Sequence, residues 1–119
     1  MEKDSTEYKV VIQLSNNDSF VQKATIGQLN NILNAFNKIQ IELVMNGPGV
    51  DLVVNESSFS NILELQYQKG IQFIVCQNTL NQKNLTAASL LPFIKIVPSA
   101  LAYLIIKQHE GWSYIKAGN

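Results

Sequence analysis

The sequence predicts an α/β protein, a three-layer α/β/α sandwich around a five-stranded, mainly parallel sheet. Two observations carry this. Short apolar runs of strand type alternate five times with segments of helical periodicity, and no tandem hairpin signal joins any two of the runs. Parallel strands need crossover connections, and right-handed crossovers lay helices on the sheet faces. The chain has 119 residues, 46% hydrophobic and 15% charged, which suits one domain with a core that needs no staple. The expected organisation is a flexible polar tail over residues 1–7 and a single α/β domain over residues 8–119.

Each element has its own warrant. Tyr8–Leu14 (YKVVIQL) is a β-branched run closed by the polar turn Ser15-Asn16-Asn17-Asp18, hence a first strand. From about Ser19 to Lys38, Leu29, Ile32, Leu33 and Phe36 follow i, i+3, i+4, i+7 spacing, with Phe20 and Ala24 upstream and Asp18 or Ser19 as cap. Ile39–Met45 is a second strand, stopped by Asn46-Gly47-Pro48-Gly49, which reads as a tight turn. Its alternation of Ile39, Ile41 and Leu43 with Gln40 and Glu42 suggests an edge position or one thinly covered face. Ser57–Lys69 carries Phe59, Ile62, Leu63 and Tyr67 at helical spacing and ends at Gly70. Ile71–Cys76 is a third strand, after which Asn78-Thr79 and Thr86–Leu91 open short helical turns closed by Pro92. Phe93–Val97 is a fourth strand, Pro98 suits the first position of a helix reaching about Glu110, and Trp112–Lys116 is the last strand.

Composition excludes several functions. Nine basic residues, all Lys, balance nine acidic ones, so a neutral chain without Arg is a poor nucleic-acid binder. The longest apolar run, Ala100–Ile106, is far short of the roughly 20 residues of a membrane span, and Met1–Glu7 is polar rather than signal-like. A cytoplasmic protein with a reduced thiol is expected. One Cys76 and one His109 cannot make a zinc site, and no cofactor is expected. Asp18 and Asp51 lie in separate loops, which argues against paired-carboxylate catalysis, and Gly47-Pro48-Gly49 lacks the rest of a dinucleotide fingerprint.

In open parallel sheets, ligands bind beyond the carboxyl ends of the strands. The candidate site is therefore Cys76 as a reactive thiol with Asn16, Asn17, Asn46, Gly47, Asn78, Thr79 and Ser99 around it as ligand-binding groups. Two readings of Cys76 stay open: a small buried hydrophobe at a strand end, or a thiol whose anion is favoured by a helix starting at Asn78 or Thr79. With no second cysteine, disulfide exchange within the chain is excluded and persulfide formation is not. His109 reads as an exposed complement to a helix C-terminus, and Trp112 and Tyr114 as packing. On the last helix, Leu101, Leu104 and Ile105 should face the sheet, leaving Ala102, Tyr103 and Ile106 outside. An outer apolar face predicts a homo-oligomer whose interface includes Tyr103 and Ile106.

The segments Leu43–Asp51 (LVMNGPGVD), Phe73–Leu80 (FIVCQNTL), Ile96–Ser99 (IVPS) and Gln108–Ile115 (QHEGWSYI) together resemble the DsrE/DsrF-like family, over essentially Tyr8 to Lys116. The resemblance implies an α/β/α sandwich, assembly as a trimer or hexamer, and at Cys76 the family's sulfur-accepting cysteine. It implies sulfur-donor and sulfur-acceptor proteins as partners. Sulfur-relay members usually continue with Arg-Arg-Gly where this chain has Gln82-Lys83-Asn84, and often carry His where it has Asn46. The expected function is a sulfur carrier working through Cys76; the alternative is a non-catalytic oligomeric module that binds a small ligand, with Cys76 as packing.

Overall fold

A computed structural model describes residues 5–118. Of the expected tail, residues 5–7 are exposed and belong to no helix or strand, and residues 1–4 lie outside the described residues. Strands β1 (Tyr8–Leu14), β2 (Ile39–Met45), β3 (Gln72–Cys76), β4 (Ile94–Val97) and β5 (Ser113–Lys116) form one sheet in the order β4-β3-β2-β1-β5. Every pairing is parallel. The helices are α1 (Ser19–Ala35), α2 (Ser60–Gln68), α3 (Gln77–Lys83) and α4 (Ala100–His109). The fold is the expected α/β/α sandwich.

Strand order distributes the helices unequally. From β1 to β4 the chain advances across the sheet in one direction, so right-handed crossovers place α1, α2 and α3 on one face. The step from β4 back to β5 runs the other way, and α4 lands on the opposite face, alone among the described helices. Two cores result. Val10, Ile12, Leu14, Ile41, Leu43, Met45, Phe73 and Val75 pack under α1, α2 and α3, whereas Val11, Val44, Ile74, Cys76 and Val97 pack under Ala100 and Leu104 of α4.

The central place of β2 answers its mixed pattern. It is flanked by β1 and β3 and is not an edge. Its polar residue Glu42, only 9% exposed, faces the thin α4 layer and accepts a hydrogen bond of 2.5 Å from the Tyr103 hydroxyl. Lys107 adds an ion pair at 3.7 Å and lies over the rings of Trp112 and Tyr103. Burial pushes the Tyr103 hydroxyl well above its ordinary range, and the bond to Glu42 with its negative charge adds to this.

The outward face of α4 differs from the periodic expectation. Tyr103 turns inward with Ala100, Leu104 and Lys107, while Leu101, Ala102, Ile105 and Ile106 are exposed. The buried carboxylate of Glu42 draws the tyrosine inward because the hydroxyl hydrogen-bonds one of its oxygens while Lys107 pairs with the other. Other boundaries also shift. Phe20 is 80% exposed, and α1 stops at Ala35 because Phe36 turns extended and packs its ring at a tilt against Tyr8. Ser57 and Phe59 precede α2 in a turn where the Ser57 hydroxyl accepts from the Phe59 N–H. Pro98 stands outside α4, whose cap is Ser99: its Oγ accepts from the Ala102 N–H at 3.2 Å.

The Asn46–Gly49 stretch is more than a tight turn. Gly47–Val53 is a two-turn 3-10 helix burying Val50, Leu52 and Val53. Gly47 takes a left-handed φ of 53°, and Gly49 lies so close to β1 that a Cβ there would stand 2.0 Å from the Leu14 carbonyl oxygen. Glycine is demanded at both positions, for different reasons.

Candidate functional site

Cys76 ends β3 and is itself the cap of α3, which begins one residue earlier than the sequence suggested. Its side chain is 6% exposed and lies on the α4 side of the sheet. The Ala100 N–H, the first of α4, donates to Cys76 Sγ at 3.3 Å. The sulfur thus sits where two helices start, one following it directly and one arriving from 24 residues away.

Thr79 completes the surroundings. Its Oγ accepts from the Gly47 N–H at 2.9 Å, which leaves its own proton free to point at the thiol. Burial raises the Cys76 pKa, but the N–H of Ala100, the N–H and hydroxyl of Thr79 and the N–H of Asn78 outweigh it and hold the thiol below its ordinary value of 9.0. One hydrogen bond to the sulfur and the nearby donors of Thr79 and Asn78 favour the anion over the neutral thiol.

The loops at this sheet end are joined by a row of hydrogen bonds. The Tyr114 hydroxyl donates to Gln13 Oε1, Gln13 Nε2 donates to Asn46 Oδ1 at 3.1 Å, and next to Asn46 the Gly47 N–H meets Thr79. The row runs from β5 across β1 and β2 to the thiol. Tyr114 is therefore not simply packing, and Gln13 was missed. A polar residue inside a strand at its carboxyl end was the signal that could have found it.

Of the sequence-predicted residues, Asn46, Gly47, Asn78, Thr79 and Ser99 stand beside Cys76 or beside its direct partners. Ser99 serves as the cap of α4. Asn16 and Asn17 lie at the same edge but bond elsewhere: Asn16 Oδ1 accepts from the Asp18 N–H at 2.7 Å, and Asn17 donates to Asp51 at 3.0 Å. Lys83 also pairs with Asp51, at 3.3 Å, and Asn84 ends α3 with a left-handed φ of 56°. His109 and Trp112 keep their expected places, exposed late in α4 and buried beneath Lys107 respectively.

Comparison with known proteins agrees with the fold. The model of the DsrE/DsrF-like family matches residues 9–117. A solved structure of a protein of unknown function from Methanobacterium thermoautotrophicum superposes with a TM-score of 0.90 at 26% identity, covering 92% of this chain and 99% of its own. A conserved protein of unknown function from Bacteroides thetaiotaomicron gives a TM-score of 0.74 at 18% identity, over 91% of this chain and 93% of that one. The ychN protein from E. coli gives 0.68 at 11% identity, over 93% and 99%. These last two likenesses are of fold alone. No curated protein matches the chain. Among the described residues, no helix is long and apolar enough to cross a membrane.

Proposed function

We propose, for a chain that belongs to the DsrE/DsrF-like family, that it is a sulfur carrier of the reducing cytoplasm whose working group is the Cys76 thiolate. The observation that supports this reading is the Ala100 N–H donated to Cys76 Sγ at 3.3 Å, with Thr79 and Asn78 adding to the preference for the anion. The thiolate attacks the outer sulfur of a persulfide or polysulfide donor. A new S–S bond forms at Cys76, the donor's S–S bond breaks, and the donor leaves as a thiolate with the electron pair. An acceptor thiolate then takes the outer sulfur by the same attack, releasing Cys76 as thiolate, so no external oxidant or reductant is consumed. The donors that favour the thiolate favour the equally anionic persulfide.

Incubation with inorganic polysulfide followed by intact-mass measurement tests this. The probe is small, as a buried cysteine requires. The expected result is a gain of one sulfur atom in the wild type and none in Cys76→Ser. No gain, together with a thiol that alkylates only after unfolding, would leave Cys76 as packing and the chain as a binding module.

Self-assembly belongs to the same proposal. The outer face of α4 exposes Leu101 at 59%, Ile105 at 68% and Ile106 at 55%, and a second copy would cover it. Homo-oligomers, a trimer or hexamer by the family resemblance, are expected in light scattering at micromolar concentration. Ile106→Glu, which forces a charge into that contact, should release monomers. A monomer mass for the wild type would defeat the proposal.

A further inference from the structure

We propose that Glu42 is a positioning residue for the thiol: through Tyr103 and Lys107 it clamps α4 to the sheet centre and so keeps the Ala100 N–H on Cys76 Sγ. The proposal rests on the carrier reading for its purpose and on separate geometry for its substance.

Glu42 does not touch Cys76. Its register partner on β3 is Gln72, four residues before Cys76, or about 13 Å along the strand at ~3.3 Å per residue. Helix α4 spans that gap, entering above Cys76 at Ala100 and reaching Glu42 with Tyr103 and Lys107. Among the described residues it is the only helix on its face, so no neighbouring helix there holds it sideways. Its inward apolar contacts are Ala100, Leu104 and part of Tyr103, which resist lifting but define position weakly. The directional hydrogen bond from Tyr103 to Glu42 Oε1 supplies the definition, and the ion pair of Lys107 with Glu42 Oε2 at 3.7 Å reinforces it. The Tyr103 N–H also bonds to the Ser99 carbonyl, so the first turn of α4 moves as one piece with the clamped residue. The charged groups around Glu42 are Lys107, its second partner Glu110, and Lys95 of β4, which lies 5.7 Å from the centre of the Tyr103 ring. A buried carboxylate in the middle of a central strand costs stability against an apolar residue. Holding the helix start in register with the sulfur is a return on that cost which packing alone would not give.

The test is the pH dependence of Cys76 alkylation in Tyr103→Phe and Glu42→Gln, with amide hydrogen exchange at Ala100 beside it. Tyr103→Phe removes one hydroxyl and no charge. Both variants should move the thiol pKa up, slowing alkylation near neutral pH about 3- to 10-fold. Ala100 should exchange faster in both. The sign discriminates for Glu42→Gln: loss of a negative charge acting only at a distance would move the thiol pKa down. A downward shift there overturns the proposal, as does an unchanged titration and unchanged exchange in folded Tyr103→Phe. If Glu42→Gln does not fold, Tyr103→Phe decides alone. Alkylation needs no sulfur donor, so absence of polysulfide uptake would sink the carrier and leave the clamp standing.

Discussion

Gly49→Ala should destabilise the protein by about 3 kcal/mol, the largest effect expected of any single methyl group added to this chain. The new Cβ would meet the Leu14 carbonyl oxygen at 2.0 Å and its carbon at 2.6 Å, and both are backbone atoms of the central strand β1. A flexible side chain could swing away; a strand held by ladders on both sides cannot. Relief must come from the 3-10 helix, whose Val50, Leu52 and Val53 are fully buried. Urea unfolding of the two proteins measures the difference, and a loss under 1 kcal/mol would show that the 3-10 helix yields freely. By contrast, a Cβ at Gly27 meets nothing within 4 Å, so Gly27→Ala, on the exposed side of α1, serves as the control.

Thr79→Val carries the second large effect, and it acts on stability and chemistry together. The side chains are nearly the same shape, but valine can neither accept the Gly47 N–H nor donate to Cys76. An unpaired N–H costs about 2 kcal/mol, measurable by denaturant unfolding. With one donor gone, the thiol pKa should rise and its alkylation near neutral pH slow several-fold. The pH dependence has a definite sign. A thiol with a depressed native pKa stabilises the fold fully above the unfolded-state value and loses that contribution as pH falls through the native value. The stability of wild type relative to Cys76→Ser should therefore climb with pH from the native thiol pKa to about 9, and the climb should shrink in a Thr79→Val background. A difference flat in pH would mean that the donors do not act on the anion.

Where the sequence and the structure part company, long-range contact is the cause. The strand ends at Leu14, Met45, Cys76 and Val97 were legible because turn residues or a helix signal follow each run. The 3-10 helix after β2 was not, since its glycines signal a turn whether or not the chain then winds on. Tyr103 was placed outside by periodicity alone, because helical spacing cannot weigh a buried carboxylate on another element, 61 residues away in sequence, that needs a hydroxyl. Gln13 and Tyr114, 101 residues apart, meet only because β5 returns beside β1.

The sequence by itself determined the order of strands and α-helices, the parallel sheet and the placing of one thiol at a strand's carboxyl end, because these follow from local periodicity, turn chemistry and the crossover rule. Only the tertiary structure decided which face each helix covers and what surrounds the sulfur. Strand order fixes the direction of each crossover, and handedness then fixes its face, so the reversal from β4 to β5 puts α4 alone above Cys76. The donor that reaches the thiol from 24 residues away exists for that reason, and no spacing along the chain records it.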